Sequence, residues 1–175
     1  MASAIVTDAL KQALDMEKKG YEFYNEMSEK SENDITKKTF AFLAKDEMLH
    51  LDSIKKFHEA VGADEKTPAF DLNAAKKDRG TDRAIFSERL SDLTEKIKRA
   101  DDDKKAFDFA MEFENNGYRY YQNMLKEAKD ENLIRLLNFL IEEENEHYEL
   151  IKRTSEYLTD PAHWFMSEEG SFPQG

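Results

Sequence analysis

One stretch of this chain occurs twice, and the repetition limits the folds open to it more than any other feature. The run Ala13-Leu-Asp-Met-Glu17-Lys-Lys-Gly20-Tyr21-Glu-Phe-Tyr24, followed by Phe42-Leu-Ala-Lys-Asp-Glu47-Met-Leu-His50, returns 97 residues later. There it reads Ala110-Met-Glu-Phe-Glu114-Asn-Asn-Gly117-Tyr118-Arg-Tyr-Tyr121, then Phe139-Leu-Ile-Glu-Glu-Glu144-Asn-Glu-His147, with no gap between the two blocks of either copy. What survives in both copies is mostly polar: two glutamates, a histidine, a glycine and two tyrosines. A duplicated unit must fold the same way twice and pack against itself.

Each copy reads as a pair of helices. Leu10, Ala13, Leu14, Glu17, Tyr21, Tyr24 and Met27 recur three and four apart, which is one face of an α-helix. Ser31 to Asp34 forms a turn that supplies an N-cap. Phe40, Leu43, Glu47, His50, Leu51, Ile54 and Phe57 then mark a second helix that stops near Gly62. In the other copy, Phe107, Ala110, Glu114, Tyr118, Tyr121 and Leu125 lie on one helix, with Asp101 to Asp103 as candidate caps. A tight turn over Asp130 to Asn132 leads to the next, with Leu133, Leu137, Leu140, Glu144, His147, Tyr148 and Ile151. All three prolines (Pro68, Pro161 and Pro173) fall outside these stretches, so no helix interior is broken. No segment alternates as a strand would.

Two antiparallel hairpins and a connection over about residues 63–103 predict an all-α four-helix bundle with one long crossover. Phe86, Leu90, Leu93 and Ile97 mark a short helix within that crossover. The bundle is expected to fill residues 1–160, with a loosely held tail over 161–175. Trp164 and Phe165 in that tail are candidates for contact with a neighbouring subunit.

The apolar stripes carry the chemistry. Glu47 and His50 are three apart on one helix, as are Glu144 and His147, so each pair points the same way. Glu17 and Glu114 do the same on the other two helices. Six side chains, four carboxylates and two imidazoles, therefore meet near a pseudo-twofold axis at mid-height. Burying that many like charges would cost many kcal/mol or force most of them to stay protonated. Two divalent cations resolve this, their +4 matching four carboxylates while neutral histidines complete the shell. Oxygen-rich ligation with one nitrogen per metal suits iron or manganese, with zinc as a substitute. His58 and His163 have no partner glutamate and read as surface or packing residues.

Gly20 and Gly117 stand mid-helix, one turn after Glu17 and Glu114, where each costs about 1 kcal/mol relative to Ala. Their recurrence implies space beside the site, for close helix packing or for a small ligand. Tyr24 and Tyr121 face the same way as those glutamates. They are candidates to hydrogen-bond the metal carboxylates or to shield against oxidising intermediates, unless they are simply core tyrosines. Tyr21 and Tyr118 read as packing residues.

Composition excludes several alternatives. With no cysteine in the 175 residues, disulfides, thiolate metal sites and a thiol nucleophile are out. A net charge of −12 argues against nucleic acid or an anionic membrane as partner. The first residues lack the basic and apolar regions of a signal peptide, and a cytoplasmic location is expected.

The spacing of Glu, thirty residues, then Glu-x-x-His, twice across a bundle with one crossover, resembles the ferritin-like di-iron carboxylate proteins. Within them, the Met16-to-Tyr24 run and its twin are similar to the erythrin domain of rubrerythrins. The resemblance covers the four long helices and not the stretch from Ala63 to Arg99. It implies that Glu17 and His50 are terminal ligands of one iron, Glu114 and His147 of the other, and that Glu47 and Glu144 bridge. It also implies a non-haem di-iron oxidoreductase acting on hydrogen peroxide or dioxygen, most often as a homo-oligomer, with a dimer favoured here. Rubrerythrins usually carry a four-cysteine rubredoxin domain, which this sequence cannot form, so an external donor such as a rubredoxin-like protein is expected. Typical members also place a further glutamate where Gly117 stands, one that takes part in a ligand switch during turnover. The alternatives are a ferroxidase or iron-storage protein and a bundle whose metal site is vestigial and which works through partners.

Overall fold

The computed structural model describes residues 2–63, 65–71, 100–161 and 164. Four long helices account for nearly all of them: α1 (Ala2–Lys30), α2 (Asp34–Gly62), α3 (Ala100–Glu127) and α4 (Glu131–Thr159). No strand occurs among the described residues. Each helix is 28 or 29 residues long, or about 43 Å at 1.5 Å per residue. The expected short helix across Phe86 to Ile97 lies outside the described residues, as do His163 and nearly all of the tail.

Turn chemistry sets the hairpins. The Asn33 side chain accepts hydrogen bonds from the Ile35 and Thr36 backbone N–H groups at the start of α2. Asp130, at the equivalent position of the second copy, accepts from Leu133 N–H at the start of α4. Both caps satisfy donors that the helix itself cannot. The expectation for α3 needs correction. Within the described residues the helix already includes Ala100, so Asp101 to Asp103 lie inside it rather than ahead of it. Asp103 instead ties α3 to the other hairpin, accepting from Ser31 Oγ (3.1 Å) and Thr36 Oγ1 (3.0 Å).

The most extensive packing runs between α1 and α2 and between α3 and α4, with α2 against α4 joining the hairpins. Two apolar clusters fill the interior. One holds Tyr24, Phe40, Leu43, Phe107, Ala110 and Ile151; the other holds Leu10, Ala13, Ile54, Tyr121, Leu137 and Leu140. Residues 97 apart fall in opposite clusters: Leu10 and Phe107, Ala13 and Ala110, Tyr24 and Tyr121, Phe40 and Leu137, Leu43 and Leu140, Ile54 and Ile151. A twofold running across the bundle, rather than along it, produces that exchange. The conserved polar residues of the duplication sit between the clusters, where the axis passes.

Trp164 is half-buried and makes contacts within its own chain. Its backbone N–H donates to Asp160 O (3.1 Å) and its ring packs edge-on to Tyr157 of the same chain at 5.1 Å. The indole finds its apolar cover at the end of α4.

Candidate metal centre

Glu17 on α1, Glu47 and His50 on α2, Glu114 on α3, and Glu144 and His147 on α4 are each at most 2% exposed. All six side chains named from the sequence are thus interior. Helical spacing does this locally, because Glu47 and His50 lie one turn apart and both face inward, as do Glu144 and His147.

Two half-sites share Glu47. In the first, His50 Nδ1 lies 3.1 Å from Glu17 Oε2 and 3.5 Å from Glu47 Oε2. In the second, His147 Nδ1 lies 3.6 Å from Glu114 Oε2 and 3.9 Å from Glu47 Oε1. The two oxygens of Glu47 therefore face different histidines. Each half-site offers three donor atoms within 4.8 Å of one another, which could hold a metal ion. The imidazoles stack between them, ring centroids 5.4 Å apart. Glu144 stands outside these two groupings, against Gly117.

The glycines make room for the acids. A Cβ at Gly117 would lie 2.5 Å from Glu144 Oε2 and 2.8 Å from its Cδ; one at Gly20 would lie 3.2 Å from Glu47 Oε1 and 2.8 Å from Phe113 Cε1. Of the two explanations, close helix packing or a small ligand, the contacts at Gly20 and Gly117 are of the packing kind, with side chains of neighbouring helices. Gly117 makes room for Glu144 of its own hairpin, and Gly20 for the Phe113 ring of the other hairpin and for Glu47 of its own.

Tyr24 and Tyr121 cross over. The Tyr24 hydroxyl on α1 donates to Glu114 Oε1 on α3, and the Tyr121 hydroxyl on α3 donates to Glu17 Oε1 on α1. Each tyrosine thus fixes a carboxylate of the other copy. Burial, and then the charge of the accepting glutamate, pushes both phenols well above their ordinary range, so both stay protonated and donate.

Two further acids belong to the site and were not singled out from the sequence. Asp46 Oδ2 accepts from His147 Nε2 at 3.4 Å, and Glu143 Oε2 lies 4.0 Å from His50 Nε2. Both are buried. Each precedes the shared or paired glutamate and serves the histidine of the other copy. Their signal was available: Asp46 and Glu143 are 97 residues apart and both acidic. They are inconspicuous in the sequence because they sit one step off the apolar stripe. An outer carboxylate on the far ring nitrogen orients a histidine and raises its basicity, leaving the near nitrogen for a metal.

Electrostatics says why this interior calls for cations. Burial raises the Glu47 carboxyl, and the charge of Glu17 raises it further, to well above the carboxylate range. Glu144 is raised likewise by burial and by the charges of Glu114 and Glu17. Burial would raise Glu17 too, but the neighbouring Glu47, the hydrogen bonds to His50 and Tyr121 and the charge of His50 hold it at about 2. Burial would lower both histidines, yet the charge of Glu17 lifts His50 well above 6.5, and that of Glu114, with Asp46, lifts His147 to about 10. By themselves the side chains share protons. Both Glu47 oxygens, Glu114 Oε2 and His147 Nδ1 nonetheless find no hydrogen-bond partner. Buried polar atoms rarely go without one, and these four converge on one another. Metal ions between them would satisfy all four, so the donor set fits a pair of divalent cations.

A family model described as Rubrerythrin matches residues 8–155, which spans all four helices. No curated protein and no solved structure gives a significant match. No helix among the described residues is long and apolar enough to cross a membrane.

Proposed function

Because the chain belongs to the rubrerythrin family, we propose that it is a non-haem di-iron oxidoreductase reducing hydrogen peroxide, or dioxygen, with electrons from an external donor. The observation that carries the reading is the doubled donor set, one carboxylate turning an oxygen toward each of two histidine half-sites. Glu17 and His50 would hold one iron and Glu114 and His147 the other, with Glu47 and Glu144 between them. Three or more oxygens and one nitrogen per metal favour iron, with manganese or zinc able to substitute. When bound, two adjacent ferrous ions supply the two electrons that cleavage of an oxygen–oxygen bond requires.

The residues of the chain do the rest. The apolar clusters on either side keep bulk water from the site and strengthen each charge interaction within it. Tyr24 and Tyr121 hold Glu114 and Glu17 in fixed rotamers through their donated hydrogen bonds. Asp46 holds the His147 imidazole plane from outside by its hydrogen bond, and Glu143 lies 4.0 Å from Nε2 of the His50 ring. Both phenol protons lie one hydrogen bond from a carboxylate oxygen of the site. Gly117 replaces the family's further glutamate, and a side chain there would collide with Glu144. A ligand exchange at that position is therefore not part of the proposal.

These 175 residues hold no cysteine with which to build a rubredoxin-type iron site, and a rubredoxin-like protein suits the role of donor. A cytoplasmic homodimer is the assembly proposed with it. The test is anaerobic mixing of iron-loaded, reduced protein with stoichiometric peroxide. Both ferrous ions should oxidise rapidly, with further turnover only when reductant is added. Iron that stays ferrous in peroxide would overturn the reading. Dioxygen uptake in proportion to iron added far beyond the site's capacity would favour ferroxidase and storage activity instead.

A further inference from the structure

The twofold of the site is broken at one pair of aromatic residues. Behind Tyr121 stands Tyr120, ring centroids 5.8 Å apart and planes at 75°. Tyr120 is half-buried, and its hydroxyl donates to Ala9 O at 2.7 Å. Behind Tyr24, at the equivalent position of the first copy, stands Phe23, with centroids 5.4 Å apart. Beyond Phe23 lie Phe109 at 4.7 Å and Phe40 at 6.0 Å. One half of the molecule thus carries two oxidisable phenols in series from a site carboxylate toward solvent. In the other half the Tyr24 ring is in contact with the rings of Phe23, Phe40 and Phe113, which are far harder to oxidise than a phenol.

We infer that Tyr121 and Tyr120 form a one-way electron relay that rescues the site when peroxide arrives while only one reducing electron is held there. The inference rests on the peroxide-reducing reading above. Reduction of hydrogen peroxide to two waters consumes two electrons and two protons. A half-reduced site supplies one electron, and the Tyr121 ring supplies the second. Its phenolic proton passes along the existing hydrogen bond to Glu17 Oε1, and a further proton comes from solvent. Tyr120 then gives an electron to the Tyr121 radical, which takes a proton back along its hydrogen bond from Glu17, while Tyr120 loses its hydroxyl proton to solvent and a second solvent proton completes the two waters. The radical is left on the half-buried ring, where a small organic one-electron reductant, such as an ascorbate or hydroquinone, returns a hydrogen atom equivalent. Without Tyr120 the radical would stay on a fully buried ring beside the ligands, out of reach of repair. A fully reduced site has no need of the relay, because both electrons come from the metals.

The experiment loads the protein with one ferrous ion per chain, mixes it anaerobically with hydrogen peroxide, and follows ferrous oxidation optically. Parallel samples are frozen for electron paramagnetic resonance. A tyrosyl signal is expected in wild type, lost quickly on addition of ascorbate, with peptide mapping placing oxidation at Tyr120. Tyr121→Phe should lose the signal. Tyr120→Phe should keep a signal, now resistant to ascorbate. Protein carrying two ferrous ions should give little radical. If iron oxidises but no tyrosyl signal forms, the relay is wrong and the peroxide reading stands. The relay is equally overturned if Tyr120→Phe decays with ascorbate as wild type does, or if oxidation is spread over surface tyrosines. If peroxide leaves the iron ferrous, both ideas fall together.

Discussion

Gly117 separates two physical effects that usually act together. Replacing a mid-helix glycine by alanine ordinarily stabilises a helix by about 1 kcal/mol. Here the new methyl would meet the buried Glu144 carboxylate at 2.5 Å, and only that side chain is free to yield. Gly117→Ala should therefore melt no lower than wild type in the presence of chelator, while binding iron more weakly and in smaller amount. Elemental analysis beside thermal melts, with and without chelator, checks both halves. Equal metal content would show that Glu144 has no part in binding. Asp46 and Glu143 act one step further out. Asp46→Ala or Glu143→Ala should lower metal affinity about 10- to 100-fold while leaving every direct donor in place, measured by competition with a chromophoric chelator. The six inward donors were legible in the sequence because the duplication repeats them on apolar stripes, where a charge is conspicuous. The outer acids were not, because a chain with 38 acidic residues offers many that differ from these two only in the neighbour they meet. That neighbour lies on the other hairpin.

Caps and cross-links divide along the same line at the scale of the helices. Asn33 and Asp130 could be read from sequence, since a short polar side chain just ahead of an apolar-periodic run serves the helix it precedes. Asp103 could not, because its partners Ser31 and Thr36 lie across the hairpin boundary. Asn33→Ala removes an acceptor used by two N–H groups and should destabilise the fold by about 1 kcal/mol, seen as a lower denaturant midpoint. Metal content should not change, because the cap lies at the end of α2 and the ligands at its middle. A matching loss of iron would mean that the helix end controls where Glu47 and His50 sit. Helix lengths and the order of the hairpins follow from period and punctuation alone. That Asp101 to Asp103 lie inside α3 rather than ahead of it does not follow, since consecutive aspartates are compatible with either place.

At the scale of the whole molecule, the two apolar clusters hold a belt of acids between them, and the fold tolerates that belt only by protonation or by metal. The direction of its pH response follows. Glu47 and Glu144 are raised in the folded protein above an ordinary 4.5, and His147 from 6.5 to about 10. Groups raised on folding contribute stability that is complete below their unfolded values and is lost as pH climbs through the folded ones. Glu17, held at about 2, works the other way, giving stability above 4.5 that is lost only in strong acid. Between pH 6.5 and 10 the Glu17 contribution is constant, so in chelator the melting temperature should fall steadily as His147 and the raised acids lose their protons. Metal ions replace those protons, so the loaded protein should show a much flatter profile, and loading near neutral pH should release protons into unbuffered solution. At a free metal concentration a hundredfold above its Kd, the gain is about 2.7 kcal/mol, and it should widen with pH across this window. Parallel melts in chelator and in ferrous or zinc salt, at several pH values, decide it. Parallel profiles with and without metal would mean that the cations do not take the place of the protons between Glu17, Glu47, Glu114 and Glu144, and the electrostatic case for a dimetal centre would fail with them.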